Sequence, residues 1–229
     1  MSLLVHCVVR ADHPPAARMV TWQDLAAVVS ETHTPTQQDA LAHLQMLSEL
    51  VVVGPVVPLK FGTTATDEEA VRAEVLMASA PRLRSHLDRL TGLVELHAYL
   101  RFNEDEALQA VYDEHQPEWR GASGRNLSTN IHLGEQVATH LVAWRRTRSD
   151  ALLGPVSAAA RDQVQLPDQD NMVERRAFLL PHKEVEPARA AITALAHIAG
   201  VAAECVGPLP AYNFLSEAEN KPATSRWGW

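Results

Sequence analysis

The residues of this chain that could do chemistry are its histidines, its two cysteines and two dense acidic runs, Asp67-Glu68-Glu69 and Glu104-Asp105-Glu106. Paired carboxylates serve general acid–base catalysis. Both runs, however, follow a capping residue and open a helix, where free backbone N–H groups and the helix dipole favour acids by roughly 0.3–1 kcal/mol each. Placement explains them without catalysis. His132 and His140 stand eight residues apart and share a helix face two turns apart. A metal needs ligands converging to about 2 Å, which this spacing does not supply. Cys205 with His6 or His197 would be the thiolate–imidazole pair of a nucleophile. Both Cys7 and Cys205 lie in apolar, strand-like runs, which raise a thiol pKa. They read as buried, reduced thiols of a cytoplasmic protein. The chain has no Gly-rich phosphate loop, no G-x-S-x-G elbow and no H-E-x-x-H. The expectation is a protein with no catalytic residue, no cofactor and no metal.

Charge narrows the partners. There are 28 acids against 20 bases, a net charge of -8. That balance opposes a counterion-replacing nucleic-acid surface and adhesion to an anionic membrane. Arg145, Arg146 and Arg148 form a local basic cluster, read as a solvated helix face. The N-terminus, Met1-Ser2-Leu3-Leu4, lacks a charged n-region and is not read as a signal peptide. The longest nearly apolar run, 50–59, is broken by Gly54, Pro55 and Pro58. It falls short of the roughly 20 residues a spanning helix needs.

Hydrophobic patterning supplies the elements that must position these side chains. Residues 3–10 and 25–30 read as strands. Thr36 with Asp39 is a capping box for a helix carrying Ala40, Leu41, Leu44, Leu47, Leu50 and Val51 inward, ended by Gly54-Pro55. Val56, Val57 and Leu59 form a short strand that Pro58 places near an edge. Thr66 to Glu69 caps a helix with Val71, Val75 and Ala78 inward, and Pro81 opens another with Leu83, Leu87 and Leu90. Strict alternation over 94–102 marks the clearest strand. Asn103 then caps a helix with Ala107, Leu108, Val111 and Tyr112 inward, followed by a Gly/Ser-rich loop over 117–126. A long helix over 128–164 is expected to break or kink at Gly154-Pro155, packing through Ile131, Val137, Leu141, Trp144, Leu152 and Val156. A strand over 172–180, a helix from Val185 to Gly200 and a strand over 201–206 suggest a βαβ or split βαβ unit. The expected class is α+β in two packed units: a ferredoxin-like N-terminal unit over 1–91, and a small sheet with long helices over 92–215. A polar tail, 216–229, carries Trp227 and Trp229.

Four blocks carry a resemblance. Pro55-Val56-Val57-Pro58-Leu59-Lys60-Phe61-Gly62-Thr63 resembles the V-L-P-L-R-F-G-T block of the gas vesicle protein F/L family. The block at 24–30, the strand entry at 90–96 and the closing Gly207-Pro208-Leu209-Pro210-Ala211-Tyr212-Asn213-Phe214 agree in family order. The chain departs from the pattern at Lys60, Leu93, Leu209 and Ala211, so any contact that needs a tryptophan at 209 is lost. Physically, Pro58 restricts a strand end, Gly62 permits a tight turn, and Phe61 is expected to plug the core. Gly207, Pro208 and Pro210 are expected to force an extended exit, with Tyr212 and Phe214 as packing anchors.

The resemblance implies an accessory protein of gas vesicle formation. Its expected partners are the small hydrophobic shell protein and other accessory proteins, and its place is the cytoplasm and the gas vesicle. The devices for binding would be an exposed apolar patch or an open strand edge at Val56 or Val201, with Trp227 and Trp229 as candidate anchors. A minor structural component of the shell is one alternative, and a small-ligand-binding or enzymatic α+β protein is another.

Overall fold

The computed structural model describes residues 2–14, 18–32, 36–119, 127–167, 170 and 172–215. The chain divides into two compact units: Met1–Leu96 with Leu179–His182 and Gly207–Trp229, and His97–Phe178 with Lys183–Val206. Where patterning suggests a break at 91–92, the division falls within the strand over 93–102, and residues 207–215 group with the first unit; the expected tail, 216–229, lies outside the described residues.

The first unit is built on β1 (Ser2–Arg10), an apolar run buried along nearly its whole length, as expected of a central strand. Around it lie β2 (Arg18–Trp22), β3 (Leu25–Thr32), β4 (Val57–Pro58) and β5 (Thr64–Ala65), in the order β2-β3-β1-β4, with β5 also paired to β1. All these pairings are antiparallel. β2 is not evident from patterning. It joins β3 through the two residues Gln23 and Asp24, with Gln23 at a φ of 53° rather than the glycine that flags such a turn. The β1–β3 register slips between Val5 and Cys7, leaving His6 as the extra residue of a bulge. Pro58 sits on β4 at the end of the strand order, where its missing N–H costs no ladder bond.

Helix α1 (Gln37–Val53) begins at the expected capping box of Thr36 and Asp39 and stops at Gly54. A second helical run starts with α2 (Glu68–Ala70), passes through a π-helical segment, Val71–Met77, and ends as α3 (Ala78–Arg89). Its cap is Asp67, whose carboxylate accepts from the Ala70 N–H, and not Thr66. The π segment corrects the expected inner face. The Ala78 N–H reaches back to the Ala73 carbonyl, five residues away, so the wider turn brings Leu76 and Ala80 inward and leaves Ala78 outside. Pro81 lies within α3 instead of opening a separate helix. Val71, Val75, Leu76, Ala80, Leu83 and Leu87 pack with Leu3, Val5, Val8 and Val29 of the sheet.

The second sheet comprises β6 (Leu93–Phe102), β7 (Asp162–Gln165), β8 (Val173–Pro181) and β9 (Val201–Leu209), in the order β7-β8-β6-β9. Its helices are α4 (Glu104–Trp119), α5 (Leu127–Ala159) and α6 (Val185–Ala194). The α+β class holds. The ferredoxin-like β-α-β-β-α-β succession, with a split βαβ around β6, belongs to this sheet. The N-terminal sheet does not follow it, because a hairpin precedes its first helix.

Helix α5 runs through Gly154-Pro155 to Ala159, and β7, expected to be helical, follows it. The buried positions near the C-terminal end of α5 are Arg145, Ser149, Leu153 and Val156, not the expected Leu152. Arg145 is therefore no solvated residue. It is 4% exposed, lies 3.6 Å from the fully buried Glu174 carboxylate, and donates to the Val173 carbonyl at 3.1 Å. Arg176 completes the group, at 2.8 Å from both Glu174 and Asp150. On α4, Ala107 and Val111 are buried while Leu108 and Tyr112 face outward.

Candidate functional site

The two family-like blocks meet on one helix. On the inner face of α1, His43 replaces the expected apolar residues: it is buried with Leu47, Leu50 and Val51, at i, i+4, i+7 and i+8. The bulge in β1 aims His6 at it, so that the two Nδ1 atoms lie 3.0 Å apart. His6 Nε2 is 2.9 Å from the Ser30 hydroxyl, and His43 Nε2 is 3.1 Å from the Tyr212 hydroxyl. The result is a continuous chain, Ser30–His6–His43–Tyr212, through a buried layer. A buried polar group costs several kcal/mol unless it is paired, and here each ring nitrogen has a partner.

Electrostatics keep the chain neutral at pH 7. Burial pushes the His6 imidazole down to about 4, with His43 adding to the shift and Asp39 opposing it. Burial also lowers His43 and raises the Tyr212 phenol. The arrangement can hold a segment in place, with burial favouring the neutral form of both imidazoles. Cys7 and Cys205 are both raised by burial, so neither is poised as a thiolate. His132 is exposed beside Glu135 on α5, and among the described residues no three of His, Cys, Asp and Glu converge as a metal set.

The closing block is fastened at three further points. The buried Glu95 carboxylate accepts from the Asn213 backbone N–H at 3.0 Å and from its side-chain amide at 2.5 Å. The Arg89 guanidinium donates to the Phe214 carbonyl. Gly207 has a φ of 136°, and a Cβ there would lie 2.9 Å from the Glu95 carbonyl oxygen, so only glycine fits. Gly207 and the cis-linked Pro208 lie inside β9, not in an extended exit after it. Pro210 follows β9, and its carbonyl accepts the Tyr212 N–H at 2.7 Å to open a 3-10 turn, Tyr212–Phe214. Phe214 is a buried anchor. Tyr212 is anchored by its hydroxyl while its ring stays partly exposed.

The other block forms a turn. The Thr63 N–H bonds the Lys60 carbonyl, and Gly62 takes a φ of 90° at the third position, as such a turn requires. Phe61 is not a core plug: it is half-buried, edge-on to His43 with ring centroids 5.5 Å apart. Phe61 of the block that holds Pro58 and Gly62 is thus linked through His43 to Tyr212 of the closing block that holds Gly207, Pro208, Pro210 and Phe214. Trp227 and Trp229 lie outside the described residues.

The outer face of α1 is the reverse of what patterning suggests. Leu41, Leu44 and Val52, the first two expected inside, are 65%, 51% and 59% exposed. With Ser48 they form a stripe at i, i+3, i+7 and i+11, and Val53 adds a fourth exposed apolar side chain. α1 carries Asp39 and Glu49 and no lysine or arginine.

This architecture defines a two-sheet α+β protein in which a C-terminal block closes the N-terminal unit, and its fold has counterparts among solved structures. The crystal structure of the gas vesicle protein GvpF from Anabaena sp. PCC7120 matches over 95% of this chain and 99% of its own, with a TM-score of 0.80 at 15% identity. GvpF from Microcystis aeruginosa matches with a TM-score of 0.78 at 14% identity. In sequence, the chain is 30% identical to gas vesicle protein F of Streptomyces sp. (strain CB03234), over 89% of this chain and 90% of that protein. It is 25% identical to gas vesicle protein L2 of Halobacterium salinarum, over 92% and 90%. Residues 4–216 match the family model described as gas vesicle synthesis protein GvpL/GvpF, and the chain belongs to that family.

Proposed function

We propose that this protein is a non-enzymatic accessory factor of gas vesicle assembly that binds the small hydrophobic shell protein and shields it before incorporation. The observation that carries the reading is the uncovered apolar stripe of α1 on a member of the GvpL/GvpF family. Exposed leucines aligned on one helix face are a recognition surface for an apolar partner helix or strand. The inner face of the same helix is fixed by packing and by the His43–Tyr212 link, so the stripe is presented on a rigid element.

Membership in the GvpL/GvpF family supports a gas-vesicle role. No helix of the described residues is long and apolar enough to cross a membrane. A pull-down of the purified shell protein tests the reading. Retention of shell subunit by the wild-type chain, lost on substituting Leu41 and Leu44 by glutamine, is expected. Equal retention by both proteins, or by neither, overturns it.

A further inference from the structure

We propose that the cleft between α5 and β7 binds an acidic, extended segment of a partner protein, which adds to the free edge of β7 and sets a carboxylate on Arg146. The cleft has a volume of about 460 Å³ and belongs wholly to the second unit. Arg146, Asp150, Gly154 and Ser157, at i, i+4, i+8 and i+11, form its helical wall, and Gln163 and Gln165 of β7 line the other side. Three observations point to this occupant. The first is the edge itself. β7 ends the strand order, pairs only with β8 among the described residues, and is exposed along its whole length. Such an edge presents backbone N–H and C=O groups with which an extended peptide pairs.

The second is charge. The Asp150 carboxylate in the cleft is already met by Arg176 at 2.8 Å, and the buried Glu174 is met by Arg176 and Arg145. Arg146 is exposed and makes no hydrogen bond or ion pair among the described residues. It therefore brings uncompensated positive charge to the cleft of a chain whose net charge is -8. An acidic segment is attracted there and a basic one repelled. The third is the shape and polarity of the walls. Gly154 lies inside α5, where glycine is the poorest helix former after proline. Nothing lies within 4 Å of where its Cβ would stand, so packing does not demand it, and its missing side chain keeps the cleft open. On the opposite wall the Ser157 hydroxyl donates to the Gln163 side-chain carbonyl at 2.8 Å, leaving the Gln163 amide NH2 to donate to an incoming acceptor. None of this rests on the function proposed above, which concerns the other unit.

The test uses the full chain and the fluorescence anisotropy of a labelled peptide of about eight residues that alternates glutamate with threonine. Binding is expected, and it weakens at least about tenfold for Arg146→Glu, for Gly154→Leu, and when lysine replaces glutamate in the peptide. Both variants should unfold thermally as wild type does, because Arg146 is exposed without a partner among the described residues and position 154 opens on empty space. A peptide of the same sequence with alternate backbone nitrogens methylated cannot extend the sheet and should bind at least about tenfold more weakly. No binding of the glutamate peptide, or binding indifferent to either substitution, overturns the site. Equal binding of the methylated peptide overturns its pairing with the β7 edge.

Discussion

The Nε2 atom of His43 lies 3.1 Å from the hydroxyl of Tyr212, which is 169 residues further along the chain. A side chain in the middle of the first helix and one in the last turn are thereby joined through a buried polar layer. The same layer continues to His6 and Ser30, so the closing block is part of the N-terminal unit's interior order.

Removing one end of this link costs less than breaking its middle. Tyr212→Phe should destabilise by about 1 kcal/mol, the worth of one hydrogen bond. His43→Ala should cost about 3 kcal/mol or more, because it takes the partner from His6 Nδ1 and from the Tyr212 hydroxyl as well as opening a cavity. Urea unfolding of both variants and the double variant checks this, with the double less than additive.

The histidine pair predicts an acid-side loss of stability. His6 and His43 are lowered by burial in the folded protein, so below about pH 6.5 the unfolded chain binds more protons than the folded one, and for His6 this window runs down to about 4. The contribution of His6 is complete above about pH 6.5, falls as the pH drops and levels off below about 4, and His43 adds a loss in the same direction. Asp24 acts in a lower window: hydrogen bonds from Arg84 hold its carboxyl down to about 2, so its contribution is lost as the pH falls from about 4 towards 2. Denaturation midpoints between pH 7.5 and 3 should fall most between 6.5 and 4.5, and His6→Gln should flatten that interval.

Two glycines separate backbone strain from crowding. Gly62→Ala meets open space at a φ of 90° and should cost about 1 kcal/mol. Gly207→Ala adds a methyl against the Glu95 carbonyl and the Leu96 side chain at a φ of 136°. It should cost about 3 kcal/mol, since the nearest atom is backbone and cannot step aside. Thermal unfolding of the two variants side by side distinguishes them.

The buried charges of the second unit should respond asymmetrically. Arg145→Met leaves the Glu174 carboxylate without one of its cations and should cost about 3–5 kcal/mol. Arg145→Met combined with Glu174→Leu and Arg176→Met removes the buried ions together and should recover most of that loss.

Much of this was legible in the sequence wherever a local rule decides the outcome. The Thr36–Asp39 box, the Pro58 edge, the β6 alternation and the Asn103 cap all stand where spacing places them. The failures share a cause: the deciding interaction is distant. His43 has the spacing of an inner-face residue, but a histidine counts as polar until His6 and Tyr212 are seen beside it. Leu41 and Leu44 have the composition of a core and are left outside, because the sheet takes the other face of the helix. Arg145 is buried only because Glu174, on a strand 29 residues away, is buried too. The π segment has no marker in its residue types, and the β2–β3 turn lacks the glycine that would have announced it. The candidate site is half readable in the sequence: its motif residues form recognisable blocks, whereas the pairing of His6 with His43 that joins them has no local signal.

In the proposed function α1 carries a binding face whose loss leaves the fold intact. The most direct measurement is the amount of shell protein kept in solution by the wild-type chain and by a Leu41→Gln/Leu44→Gln/Val52→Gln variant at equal concentration. The variant should unfold within about 0.5 kcal/mol of wild type yet leave the shell protein to sediment. A variant that keeps the shell protein soluble as well as wild type would contradict it.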